Sequence, residues 1–353
     1  MLDWKSRSAK ARESAEQAPQ SQAGKRWALR GVGAVVGVGA LATLLLGWYW
    51  SAEPALFAVQ QHAKAAAEKA NHPLVSGYTT VETLKQVSQT LLDKPGGYLT
   101  NDLTPPGLFL DNMPAWEYGV LVQVRDLARA MRKDFARSQS QSTEDPDLAK
   151  AEPKFHFDNN SWAFPASEDE YRQGIKFLDN YLARLANGQQ TQAQFYTRAD
   201  NLNNWLGDTA TRLGSLSQRL SASVGQVRLN TDMQLHEQLA DGEVPRLSEE
   251  QFETPWFKID DVFYEARGQA WALSHLLRAI EVDFADVLAK KNATVSLRQI
   301  IRELEAAQEP LWSPMILNGS GYGMLANHSL VMANYISRAN AAIIDLRQLL
   351  SQG

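Results

Sequence analysis

The chain has no cysteine among its 353 residues. This excludes disulfides, thiolate nucleophiles, iron–sulfur clusters and cysteine-ligated zinc, so stability has to come from packing. The histidines, at 62, 72, 156, 236, 275 and 328, are scattered, and no H-E-x-x-H or comparable ligand spacing joins them. No metal site and no cofactor is therefore expected. There is no G-x-S-x-G nucleophile elbow, and Gly319-Ser320-Gly321-Tyr322-Gly323 follows no strand and lacks the lysine of a phosphate loop, so it reads as a turn. No catalytic residue can be named. Nor does any stretch show the period-two alternation of a half-buried strand.

What is present is a chain with 44% apolar and 21% charged residues, ample for a buried core. The charge is uneven. Residues 1–30 carry Lys5, Arg7, Lys10, Arg12, Lys25, Arg26 and Arg30 against Asp3, Glu13 and Glu16, while the whole chain is −5. The part after Ser51 is thus acidic, which argues against a nucleic-acid partner, because phosphate binding needs a basic face.

Between Arg30 and Glu53 runs GVGAVVGVGALATLLLGWYWSA, with no charge in it. About 20 residues of helix cover the roughly 30 Å of hydrocarbon in a bilayer, so residues 31–50 read as a transmembrane helix. Lys25, Arg26 and Arg30 precede it and Glu53 follows, which by the positive-inside bias places the N-terminus in the cytoplasm and the rest across the membrane. Trp27 at one end and Trp48, Tyr49 and Trp50 at the other suit the two headgroup layers. A cleaved signal peptide is the rival reading. It fits less well, because bulky aromatics stand where small residues should precede a cleavage site. The Gly33-x-x-x-Gly37 spacing allows close approach of a second span and hence a homodimer, although glycine is common in membrane helices.

Beyond the span the pattern is helical. Residues 54–72 and 79–94 read as helices, a stalk or first hairpin. The segment 95–114, with four prolines and three glycines among apolar residues, reads as an ordered loop. A helix is expected from Trp116 to about Gln141, followed by a break through 143–165. Ser167-Glu168-Asp169-Glu170 has the form of a capping box, and Tyr171, Ile175, Leu178, Leu182 and Leu185 line one face of the helix it opens. The rhythm resumes at Leu202, Leu206, Leu213, Leu216, Leu220 and Val227, so an antiparallel hairpin of these two helices is expected. After a connector at 231–254, Ile259, Phe263, Ala266, Ala270, Leu273, Leu277, Ile280, Phe284 and Val287 mark a further helix; shorter and longer helices follow at 294–308 and 325–350. The fold class is all-α, a single span followed by a multi-helix bundle. The expected divisions are a basic tail at 1–30, the span at 31–50, stalk helices at 51–94, and two helical halves at 95–230 and 231–353. The halves rest on the gap-free match of LARAMRKDFA (127–136) with LLRAIEVDFA (276–285), which suggests pseudo-twofold packing.

The stretches GGYLTNDLTPPGLFLDNMPAWEYGVLVQVRDLARAMR, FARSQSQSTEDPDLAKAEPKFHFDNNSWAFPASEDEYRQG and FYEARGQAWALSHLLRAIEVDF resemble a proteobacterial inner-membrane family of single-span proteins, domain of unknown function 2333. The resemblance covers nearly the whole chain. It implies a Gram-negative inner membrane and a periplasmic main domain, and carries over no catalytic residues.

Two functional readings follow. The first is a non-enzymatic, membrane-tethered module that binds an envelope protein or small ligand. Its candidate groups are Tyr118, Arg125 and Arg129 on one helix and Glu265, Arg267, Trp271 and Arg278 on its counterpart, because arginines and aromatics suit an anionic or carbohydrate ligand or a protein partner. The same arginines would also serve as interhelical salt bridges. The second is an enzyme acting on cell-envelope polymer through the carboxylates Asp260, Asp261, Glu265, Glu281, Asp283 and Asp286, a series that otherwise reads as a solvated helix face.

Overall fold

The computed structural model describes residues 3–138, 143–187, 193–229, 249–313, 315–320 and 323–352. The helices in chain order are α1 (Asp3–Trp50), α2 (Val59–Ala70), α3 (Tyr78–Asp93), α4 (Asn112–Ala130), α5 (Leu148–Phe155), α6 (Ser167–Ala186), α7 (Ala199–Ser221), α8 (Ile259–Asp283), α9 (Ala285–Lys290), α10 (Thr294–Ala306) and α11 (His328–Ser351). Within α1, Trp27–Trp50 is long and apolar enough to cross a membrane, with a mean hydropathy of 1.9, and only its C-terminal end, at Gly47 and Trp50, is covered by the rest of the chain. The remainder is a helical bundle.

The bundle is built around α4 and α8, which make the most extensive helix contact in the molecule. They run parallel: Trp116 and Gly119 face Glu265 and Gly268 near their starts, and the Phe135 and Phe284 rings meet at their ends, 5.4 Å apart. Two glycines permit the approach. A Cβ on Gly119 would overlap the Glu265 carbonyl oxygen, and one on Gly268 would overlap that of Trp116. The contact is reciprocal, because Trp116 is separated from Glu265, Gly119 from Gly268 and Phe135 from Phe284 by the same length of chain that separates Leu127 from Leu276. This is the geometry a twofold between two equivalent helices produces. The other members of the two halves pack differently: α6 lies on α3 and α5, whereas α10 lies on α8 and α11.

Five expectations need correction. Residues 51–94 are no free-standing stalk, because α3 buries Tyr78, Val81, Leu84, Val87, Leu91 and Leu92 against α4, α6 and α8. The helices α6 and α7 form no hairpin: α7 packs chiefly on α11. The described part of the segment between them, residues 193–198, lies against the core instead, with the half-buried Phe195 against Phe135 and Phe284 and the Tyr196 N–H on the Phe135 carbonyl at 2.7 Å. The capping box at Ser167 does not form. Its hydroxyl donates to the Asp158 carbonyl at 2.7 Å, and Glu170 pairs with Lys154 at 2.6 Å, so the loop before α6 claims the serine and α5 claims the glutamate. Finally, α5 lies inside the expected break and contains Pro153, and one short antiparallel ribbon, β1 (Gln226–Leu229) with β2 (Glu249–Phe252), flanks the connector. Most of that connector, together with Gly321 and Tyr322 of the glycine-rich turn, lies outside the described residues.

The exit of α1 is held firmly. Trp50 covers Gly96, whose φ of 86° suits glycine, and Gly47 packs on Pro106 and Leu110 in the loop after α3. The chain then lies along α8. Glu53 pairs with Arg267 at 2.8 Å, and Phe57 stacks on His275 with ring centroids 4.0 Å apart while its N–H donates to His275 Nε2 at 3.0 Å. The loop itself is pinned by Glu117, fully buried in α4. Its carboxylate accepts from the Leu99 and Thr100 N–H groups, each at 2.8 Å, and pairs with the buried Lys94 ammonium at 2.6 Å.

Candidate functional site

On one side of the α4–α8 seam, α7 leaves a cleft of about 560 Å³. Tyr118, Val122, Asp126 and Arg129 enter it from α4, Asp208, Thr211, Arg212, Ser215 and Arg219 from α7, and Glu265 and Gln269 from α8. A second hollow of about 460 Å³ shares Tyr118, Arg219 and Glu265 and continues to Asp111, Lys258 and Asp261 at the start of α8. The two form one solvent-open groove along the seam.

The groove is polar because the helices leave two acids there that must be paired. Arg212 grips the buried Asp126 with two contacts, Nε–Oδ2 at 3.0 Å and Nη2–Oδ1 at 3.3 Å. Seven residues on, two turns of α7, Arg219 grips Glu265 at 2.6 and 2.5 Å. The hydrogen bond to Asp126 pushes the Arg212 pKa up, and that to Glu265 does the same for Arg219. Both guanidinium groups stay charged and about half exposed. From Glu265 the network runs inward: Gln269 Nε2 donates to Glu265 at 2.9 Å, and Gln123 Nε2 donates to Gln269 Oε1 at 3.2 Å in the α4–α8 contact. At the far end Arg129 donates to His156 Nε2 at 2.9 Å and lies 3.5 Å from Glu152.

Of the residues singled out in the sequence, the structure brings together Tyr118, Arg129 and Glu265. The others go elsewhere. Arg125 donates to the Phe155 and Phe157 carbonyls at the end of α5, at 2.7 and 2.8 Å. Arg267 ties Glu53 to the Ala307 and Glu309 carbonyls. Trp271 is buried between Trp116 and His275. Arg278 pairs with Glu305 on another face, near Glu281 and Arg298. What the sequence reading missed is α7. Its Arg212 and Arg219 recur at a seven-residue spacing along the border of the buried leucine face.

Of the helix-borne carboxylates, Asp261 and Glu265 share the second hollow, while Glu281 and Asp283 lie away from it, and each of the four has its own partner. Asp261 meets Lys258 at 3.1 Å, Glu265 meets Arg219, Glu281 meets Arg298 at 2.5 Å, and Asp283 accepts the Thr80 N–H and hydroxyl, both at 2.7 Å. Burial pushes the pKa of Glu53, Glu117 and Asp283 up, against the lowering effect of their partners, but none of the three lines the cleft. The groove therefore offers charged donors and hydroxyls for recognition. A carboxylate clamped by a two-pronged guanidinium is poorly suited to passing protons.

The bundle is thus a helical domain carried on an N-terminal apolar helix, with a polar groove across its central pair. The chain matches, over residues 20–353, the family described as "Uncharacterized protein conserved in bacteria (DUF2333)", and it belongs to that family. No curated protein and no solved structure matches it.

Proposed function

We propose that this protein is a non-enzymatic module, anchored in the bacterial inner membrane by residues 31–50 with its N-terminus in the cytoplasm, whose periplasmic bundle binds a polar segment of an envelope protein in the groove between α4, α7 and α8. The observation that carries the reading is the pair Arg212 and Arg219. Each neutralises a buried acid with two of its N–H groups and, about half exposed, lines the cleft. With three arginines and three carboxylates lining it, the cleft is balanced in charge, which suits a peptide or loop with its own mixed polar groups better than a bare anion. Tyr118, half exposed and shared by both hollows, supplies the aromatic surface common at binding hot spots.

The test is photo-crosslinking in living cells from a benzophenone amino acid at Tyr118. A discrete adduct should form, and it should disappear in the double variant Arg212→Ala/Arg219→Ala without loss of the protein from the membrane. If Tyr118 yields no adduct while a crosslinker in α1 does capture neighbours, the groove is not a binding site.

A further inference from the structure

We infer that the domain does not merely hang from α1 but rests on the same bilayer through a rim of exposed aromatic side chains around the point where α1 leaves the membrane. The inference builds on the anchor proposed above and adds a second contact with the lipid.

Three loops carry the rim. In the first, the turn Gly107–Phe109 abuts α1, because Pro106 and Leu110 on either side of it pack on Gly47. Gly47 lies inside the apolar segment that ends at Trp50, so this turn stands at the depth of the span's own end, where headgroups meet water. Phe109 is nevertheless 70% exposed, and Leu108 is exposed beside it. In the second, Trp256 and Phe257 precede α8, 67% and 86% exposed, with Lys258 following them. Their position is fixed by the groove, in which Lys258 lies with Asp111, just before α4. In the third, the loop after α10 shares a hollow with Ser51 and Pro54, directly beyond the end of α1, and there Trp312 is 93% exposed.

Water is a poor environment for so many large rings at one end of a fold, and exposed apolar patches of this kind mark an interaction surface. Large exposed rings also occur at Trp162 and Phe164, in the loop before α6 that Asn101 ties to the segment carrying Phe109 through the Ser161 carbonyl, whereas Leu74, Val295 and Ile344 are separate aliphatics. Continuity with α1 identifies the occupant. Trp48 and Tyr49 are exposed on that helix at the same level, so the loops extend outward the ring of aromatics that the span itself begins. Tryptophan and phenylalanine next to a lysine whose stem can lie along the apolar layer are the chemistry of a headgroup interface.

The absence of cysteine makes the test clean. Single cysteines replace Phe109, Trp256, Trp312, Leu44 and Glu68 in the full chain, each carrying a fluorophore, and the protein is reconstituted into phosphatidylcholine vesicles containing lipids with a nitroxide either near the headgroup or deep in the acyl chain. The labels at Phe109→Cys, Trp256→Cys and Trp312→Cys should be quenched by the shallow nitroxide, that at Leu44→Cys by the deep one, and that at Glu68→Cys, on the exposed face of α2, by neither. If Leu44→Cys is quenched while the three rim labels behave like Glu68→Cys, the rim proposal is overturned and the anchor stands. If the rim labels are shielded from an aqueous quencher yet untouched by either lipid, a second copy of the chain covers the rim, which also overturns it. Failure of Leu44→Cys to be quenched would remove the anchor itself, and the rim with it.

Discussion

Single residues in this protein are most informative where burial sets their charge. His275 is buried on α8 and neutral, donating from Nδ1 to the Trp271 carbonyl at 2.7 Å and accepting the Phe57 N–H at Nε2. Burial lowers its pKa from 6.5 to about 4, and Arg278 adds to the effect. Between those values the unfolded chain binds a proton that the folded chain refuses, so the histidine's stabilising effect is complete above pH 6.5 and is lost as pH falls toward 4. Each tenfold weakening of proton binding is worth roughly 1.4 kcal/mol, which makes the full loss about 3 kcal/mol. Glu53, Glu117 and Asp283, all raised, act in the opposite sense, because the folded form takes up their protons first. The expected result is therefore a difference: His275→Gln is less stable than wild type at pH 7, and urea unfolding in detergent shows the gap closing by pH 4.

Glu117 gives a second prediction at this scale. Glu117→Gln keeps most of the shape but leaves the Lys94 ammonium buried without its counter-charge, which should destabilise the fold by about 3–5 kcal/mol. Replacing Lys94 by Met in the same chain should recover a large part of the loss, read from the same unfolding curves. The buried Lys94–Glu117 pair was illegible in the sequence. Lys94 and Glu117 look like ordinary surface residues until the loop between them folds back over α4, and no local periodicity reports such a return.

Among elements, the parallel pair α4 and α8 depends on two small residues. Gly119→Ala or Gly268→Ala places a methyl against a helix backbone rather than against a side chain that can swing aside. Each should cost about 1–3 kcal/mol or more through forced separation of the helices, visible as a lower midpoint of thermal unfolding. Alanine at Gly33, which meets nothing within the chain, should leave the midpoint unchanged. The existence and faces of the long helices were plain in the sequence, because runs such as Tyr171, Ile175, Leu178 and Leu182 repeat at the helical period and are all buried. Which helix meets which was not. Proximity along the chain predicted that α6 and α7 would pair, but Phe195 between them packs against the edge of the core at Phe135 and Phe284, and tertiary packing then decides. The candidate site suffered the same way. Tyr118, Arg129 and Glu265 were within reach from the matched segments, whereas Arg212 and Arg219 come from a helix that only the three-dimensional arrangement brings over the seam.

For the whole molecule, the apolar N-terminal helix was the most legible feature, since about twenty uncharged residues need no partner to announce themselves. How the domain meets that helix was not legible. The contacts of Trp50 with Gly96, Glu53 with Arg267 and Phe57 with His275 follow one another within a few residues of the helix end, with no slack between them. A tilt, twist or pull imposed on α1 would thus arrive undamped at α8, and through the close contact at Gly268 at α4, whose Tyr118 and Arg129 form one wall of the groove. Under such a load the angle of the shaft and the shape of the cleft would change together.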